Sequence, residues 1–324
     1  MLKIAPEPSA DARLFRTEAT RGLAPIPVWE QGLPSATAEP WFQVSEDAMP
    51  LEGPAFDRHG NLLFLDIYGG RVLRLSPQRA LSTVYTDATL RPTGLALHRD
   101  GRIFLAGVGD FQAGRIVAID PDGRDARTIV PAMAGHVPDD LVFDRHGGFY
   151  FTDFRGTATC PTGGVYYVPP DQQTIQPVLP HMSAANGVAL SPDGKVLWAT
   201  EFGAGRLHRA DLVDAARLAP FGSTVPYHFT GCAPDSMRAD AEGNVYVAMF
   251  YQGRVLAFDP HGILIGQILL PGREHGHFLK CTSLAFVPGS PDVVIVSRDV
   301  PGGQGAMIFR ARALAPGATL FSHQ

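Results

Sequence analysis

Pro234-Asp235-Ser236-Met237, running on to Gly243-Asn244-Val245-Tyr246, places an acid at the start of an apolar strand, eight residues before a turn glycine. The spacing occurs four more times: Glu52 before Gly60, Thr93 before Gly101, Asp139 before Gly147 and Asn186 before Gly194. A looser sixth unit with an altered turn puts Thr282 in the same place. The six starts are separated by 41, 46, 47, 49 and 47 residues.

Each unit reads as a strand, a tight turn, an apolar strand, a loop and a third strand. The first runs Leu51-Glu52-Gly53-Pro54-Ala55-Phe56-Asp57-Arg58-His59-Gly60, then Asn61-Leu62-Leu63-Phe64-Leu65-Asp66, then Gly69-Gly70-Arg71-Val72-Leu73-Arg74-Leu75. Asp57, Asp100, Asp144 and Asp193 are turn acids. Such an acid accepts from backbone N–H groups ahead of it, and glycine takes the positive-φ position. Asp66, Asp153 and Glu201 close second strands and read as hydrogen-bonding groups within the blade.

A period of about 40–50 residues with several strands per unit is the signature of a β-propeller. The expectation is an all-β, six-bladed propeller with about four antiparallel strands per blade. Thr83-Val84-Tyr85 and Ile263–Ile268 supply fourth strands, and the stretch near Trp41–Val44 closes the ring with the last unit. A linear solenoid would need capping units, which are not evident. Residues 1–38, rich in Pro and Ala, read as an arm on the surface, with 39–324 as one propeller.

Composition agrees. The 324 residues include 35 Gly and 28 Pro, suited to short strands joined by turns. A net charge of −5 without a basic stripe argues against nucleic acid. There is no signal-like or membrane-length apolar run, and Cys160, Cys232 and Cys281 are too sparse for a disulfide framework, so the expectation is a cytoplasmic protein that does not engage membranes. The cysteines read as inert core residues, with Cys232 near enough to Asp235 to border a pocket.

In a propeller the first strand of each blade lies nearest the axis. One register of six units therefore forms a ring, here Glu52, Thr93, Asp139, Asn186, Asp235 and Thr282. Two unit charges 4 Å apart at an effective dielectric near 20 repel by roughly 4 kcal/mol, so three carboxylates need compensation. A divalent cation is the simplest. Oxygen donors without cysteine select a hard ion: Ca²⁺ first, with Mg²⁺, Mn²⁺ or Zn²⁺ as alternatives. Taken singly, each of these residues is equally readable as a turn cap. Ser236 and His136 stand beside the ring in sequence, Glu274, His275 and His277 lie in loops that reach the same rim, and Phe111, Phe154, Phe202, Phe229 and Phe250 are candidates to line its mouth. Few rim charges favour an apolar or aromatic small molecule over a polar one.

Further stretches carry a resemblance: Thr37-Ala38-Glu39-Pro40-Trp41, Gly147-Gly148-Phe149-Tyr150-Phe151-Thr152-Asp153-Phe154-Arg155-Gly156, Gly163-Gly164-Val165-Tyr166-Tyr167-Val168, Lys195-Val196-Leu197-Trp198, Arg206-Leu207-His208-Arg209, Tyr246-Val247-Ala248-Met249 and Ile265-Gly266-Gln267-Ile268-Leu269. With the ring residues, these resemble the gluconolactonase/senescence-marker-protein/luciferin-regenerating-enzyme family, closest to its drug-responsive lactonase type. The resemblance implies a metal-dependent lactonase that opens cyclic esters to hydroxy acids. It implies an axial metal on Glu52, Asp139, Asn186 and Asp235, with Ser236 at the site and Asp235 moving the proton. It also implies a second, structural calcium, but the loops Asp110–Gly114 and Pro131–Val137 each look one residue short, and Ala132 stands where an acidic ligand is expected. That second ion is therefore expected to be absent.

A metal-bound carboxylate is a weak base. Either Asp235 loosens its metal contact, or Asp140 or His136 assists; Thr93 and Thr282 complete the surroundings. Two alternatives stay open: hydrolysis of another activated ester, cyclic ketone or phosphoester on the same site, and a non-catalytic propeller stabilised by metal.

Overall fold

A computed structural model describes residues 22–324. Apart from short 3-10 turns, its regular structure is β-strand, arranged as six sheets in a ring: the six-bladed propeller that the repeat predicts. The first strands are Leu51–Phe56, Pro92–Leu97, Pro138–Phe143, Ala185–Leu190, Pro234–Ala239 and Lys280–Phe286, which open blades 1 to 6. Each touches the next, and the sixth touches the first. The fourth strands expected near Thr83 and Ile265 are Leu81–Thr86 and Leu264–Leu269.

The ring closes where expected: Glu39–Ser45 pairs antiparallel with Ala306–Arg312 as the outer strand of blade 6. One feature departs from the repeat. Ser35–Thr37 adds a fifth, parallel strand to blade 5, alongside Leu264–Leu269. Residues 1–21 of the expected arm lie outside the described residues.

The period-2 alternation of each blade sends apolar side chains toward both neighbouring blades. Six buried clusters result, one at each blade–blade interface. Leu63, Leu65, Leu95 and Leu105 join blades 1 and 2, and Phe104, Phe143, Phe149 and Phe151 join blades 2 and 3. Each fully buried side chain of this size contributes about 1.5–3 kcal/mol. The turn acids act as read. Asp57 Oδ1 accepts from His59 N at 2.8 Å and Asn61 N at 2.9 Å, and Asp144 Oδ1 from His146 N at 2.7 Å and Gly148 N at 3.0 Å. So do the acids that close second strands: Asp66 binds Arg71, Asp153 binds Arg155, and Glu201 binds His208.

The two ends of the axis differ. At the strand-exit end, residues from all six first strands, with the tail 316–323, enclose a mainly apolar cavity of about 410 Å³. The tail is pinned by an Asp240–Gly317 bridge and by Phe321, which packs on Phe143. The ring residues lie at the strand-start end.

Candidate functional site

All six first strands break register with the second strand at the ring position or, in blade 1, immediately after it. The breaks fall between Glu52 and Ala55, Pro92 and Gly94, Pro138 and Leu141, Ala185 and Val188, Pro234 and Met237, and Cys281 and Ser283. In blade 3, Asp139-Asp140 oppose Thr152 alone, and in blade 4, Asn186-Gly187 oppose Thr200 alone. A bulge of this kind bends the strand and re-aims its side chains. Glycine follows the ring residue where the next blade crowds it. A Cβ on Gly187 would meet the Asp235 carbonyl oxygen at 2.6 Å, and one on Gly94 would strike that of Asp139.

Hydroxyls tie the bulges together. Thr93 Oγ1 donates to the Asp139 carbonyl at 3.1 Å, Thr152 Oγ1 to that of Asn186, Thr200 Oγ1 to that of Asp235 at 2.8 Å, and Thr282 Oγ1 to that of Leu51 at 2.7 Å. Thr93 and Thr282, expected beside the site, thus set the backbone of the neighbouring blade. Thr152 and Thr200 do the same work and are not picked out by sequence. Their signal is a Thr immediately before the acid that ends the second strand, in Thr152-Asp153 and Thr200-Glu201.

Glu52, Asp139, Asn186 and Asp235 are all buried, with 4–5% exposure. Burial pushes the Glu52 carboxyl well above its ordinary range, helped by the charges of Asp235 and Asp139. Burial and then the charge of Asp140 push Asp139 up to about 7, and burial and then Asp139 raise Asp235. These side chains therefore share one electrostatic environment. Asn186 lies among them: its Nδ2 donates to Asp139 Oδ2 at 3.2 Å, while its Oδ1 is buried without a hydrogen-bond partner. Glu52 Oε2 accepts from Gly53 N at 3.0 Å, and Asp235 Oδ1 from Ser236 N at 3.0 Å.

The donor set is oxygen only, with three carboxyls in mutual repulsion and an amide oxygen unsatisfied. That chemistry fits a hard divalent cation. Among the described residues, no three His, Cys, Asp or Glu groups are close enough to form a metal cluster by themselves.

The other candidates sort clearly. Asp140 is paired with Arg238 Nη1 at 2.8 Å, a contact from blade 3 to blade 5 that skips blade 4. His136 Nδ1 binds Asp153 Oδ2 at 2.7 Å, and its ring packs 4.4 Å from Tyr166. Ser236 is buried beside Asp235. Glu274 and His275 are exposed on a 3-10 turn, and His277 binds Asp299 at 2.8 Å.

The rim holds a cavity of about 680 Å³ between the loops of blades 4 and 5, lined by Phe202, Phe229, Cys232, Phe250 and Tyr251 among others. Phe154, Phe202, Phe250 and Tyr251 form a row with successive centroid separations of 5.4, 6.0 and 4.5 Å. Phe111 stands apart on an exposed loop of blade 2. The cysteine reading needs correction. Cys281 is buried, but Cys160 and Cys232 are exposed, because both sit in loops rather than strands.

A family profile described as an SMP-30/gluconolactonase/LRE-like region matches residues 51–293. The chain is 46% identical to lactonase drp35 of Staphylococcus saprophyticus over 93% of this chain and 94% of that one. It is 43% identical to lactonase drp35 of Staphylococcus aureus over 96% and 97%. Among solved structures it resembles a gluconolactonase from Xanthomonas campestris (TM-score 0.68, 22% identity, 87% of this chain and 98% of that one). It also resembles a calcium-binding regucalcin from Agrobacterium tumefaciens (TM-score 0.70, 18% identity, 89% and 99%). Profile and near-full-length relatives agree: the chain belongs to the SMP-30/gluconolactonase/LRE-like family.

Proposed function

We propose that this protein is a metal-dependent lactonase that hydrolyses cyclic esters to hydroxy acids at the strand-start end of the propeller axis. The relatives named lactonase support the reaction class. The observation that carries the site is the buried Glu52–Asp139–Asn186–Asp235 constellation, with its repelling carboxyls and its unsatisfied Asn186 Oδ1. Those four residues would hold the cation. Calcium is the first candidate, given the all-oxygen donor set and the calcium-binding regucalcin of the same fold. One ion per chain is expected. The loop that would carry a second one presents Ala132–Ala134 as a 3-10 turn, and Asp110 accepts from Gln112 and Ala113 of its own loop.

When bound, the cation supplies positive charge to stabilise the oxyanion that grows on the lactone carbonyl oxygen. The chain's own groups do the rest. Asp235 accepts a proton from the attacking water as the oxygen joins the acyl carbon. The ring C–O bond then breaks, and Asp235 returns the proton to the departing alkoxide, giving the hydroxy acid. Ser236 N–H, on Asp235 Oδ1, fixes the rotamer of that carboxyl. Asp140 and His136 are committed to Arg238 and Asp153, which favours Asp235 itself as the proton carrier. The aromatic row favours flat, apolar lactones over polyhydroxylated ones.

The test is lactone hydrolysis by chelated protein, with and without added Ca²⁺, Mn²⁺, Zn²⁺ or Mg²⁺. Turnover that returns with metal and is lost in Asp235→Asn is the expected result. Metal-independent turnover sinks the metal role. Tight metal binding without turnover on any ester, lactone or phosphoester would leave a binding propeller instead.

A further inference from the structure

Four blades carry a Gly-Arg pair at the start of the third strand: Gly70-Arg71, Gly114-Arg115, Gly205-Arg206 and Gly253-Arg254. Three of these arginines are partly exposed, with side-chain exposures of 37%, 27% and 46%. Arg71 pairs with Asp66 and Arg206 with Glu201, each within its own blade, and Arg115 pairs with Asp87 between blades 1 and 2. Arg254 differs on both counts. Its side chain is 1% exposed, and Met249 stands opposite it, where Asp66 faces Arg71 and Glu201 faces Arg206. Its counter-ion comes from outside the repeat: Glu30 of the N-terminal segment, also 1% exposed, whose Oε2 lies 2.6 Å from Nη2 as a charge contact without hydrogen-bond alignment. Tyr227 Oη donates to the other Glu30 oxygen at 2.6 Å. A buried charge needs such a partner, and blade 5 itself offers none at that position.

The network continues to the rim. Arg254 Nε and Nη2 donate to Gln252 Oε1 at 2.9 and 2.6 Å. With its oxygen taken, that amide turns its NH₂ the other way. Nε2 donates to the Thr230 carbonyl at 3.0 Å and to that of Cys232. Arg273 adds a second tie, from the Gln252 carbonyl at 2.9 Å to that of Ala24 at 2.8 Å. The loop so held leads directly into Pro234-Asp235, and Cys232 lines the rim cavity. Among the described residues, the loop's backbone hydrogen bonds stop at Phe229 and resume at Ala233. Gln252 is its anchor in between.

We infer that Glu30, acting through Arg254 and Gln252, is a positioning residue for the loop 230–232, whose Gly231 and Cys232 line the rim cavity. The N-terminal segment thereby shapes substrate binding in blade 5 without reaching the reacting atoms. The kinetic part of this inference rests on the lactonase reading; the structural part does not.

The experiment compares wild type with Glu30→Gln and Gln252→Met by hydrogen exchange and lactone kinetics. Exchange over 229–235 is expected to quicken by about tenfold or more in both variants while 62–66 of blade 1 keeps its rate. KM should rise several-fold for bulky aromatic lactones, with kcat within about twofold, as loss of uniform binding dictates. Gln252→Met leaves the Glu30–Arg254 pair in place and carries the test if Glu30→Gln fails to fold. Unchanged exchange over 229–235 in Gln252→Met, or an equal rise in every blade, overturns the proposal. If wild type turned over no lactone, the exchange result would still decide whether the relay holds the loop.

Discussion

The two ends of the channel are built from the same six strands and have opposite chemistry. At the strand starts, every first strand is bulged, and the bulges gather Glu52, Asp139, Asn186 and Asp235 in one buried environment. Further along, the same strands return to register, and Ala55, Leu95, Leu141 and Val188 line an apolar cavity closed by the tail. The repeat therefore supplies strands, while the bulge decides which end is polar. Without it the ring side chains would follow the pleat into the blade interfaces.

Four measurements probe this contrast. The largest expected effect is at the charged end. Asp235→Asn should cut kcat by roughly 10²–10⁴-fold, the usual range for loss of a general base, measured with lactone at saturating metal. At the apolar end, Phe321→Ala should cost about 3 kcal/mol in denaturant unfolding, since Phe321 is buried against Phe143, while kcat stays near wild type. If Phe321→Ala abolished turnover at full occupancy of the folded state, the two ends would not be separable.

Next in size, Glu52→Gln removes one of three carboxyls and should weaken Ca²⁺ binding by about tenfold or more, read by calorimetry, because affinity follows ligand charge count. The same titration should return one ion per chain; two tightly held ions would contradict the single site.

The smallest effect is on pH dependence. Asp139 is raised to about 7 from its ordinary value, so the native state holds its proton where the unfolded chain has released it. Its stabilising contribution in chelated protein is complete below about pH 4 and is lost as the pH rises through about 7. Thermal midpoints of chelated protein should therefore fall over that window, and saturating Ca²⁺ should flatten the slope. A chelated protein whose midpoint rose from about pH 5 to 7 would show that Asp139 is not the controlling group.

Much of the fold is legible in the sequence because its signal is periodic. The glycine turns and ring positions recur at nearly constant spacing, and the Trp41–Val44 stretch finds its place in blade 6 because a ring needs closure. The ring residues are legible for the same reason: one register in six units shares one position. What escapes is non-periodic. Thr152 and Thr200 are marked locally only by the acid that follows each, which does not say that they donate to the next blade, and nothing local marks Arg238 as the partner of Asp140. The exposure of Cys160 and Cys232 escapes too, because loop placement, rather than residue type, decides it.

Blade number, strand order and the identity of the polar ring residues are written along the chain, since each depends on spacing and side-chain chemistry alone. How those residues are aimed and held is not. The hydroxyl ties between blades and the burial of Glu30 on Arg254 join groups far apart in the chain, from 34 residues between Thr152 and Asn186 to 231 between Thr282 and Leu51. The ties between consecutive blades form when those blades pack, whereas Thr282–Leu51 and Glu30–Arg254 exist only once the ring has closed, because closure brings blade 6 against blade 1 and the N-terminal segment against blade 5.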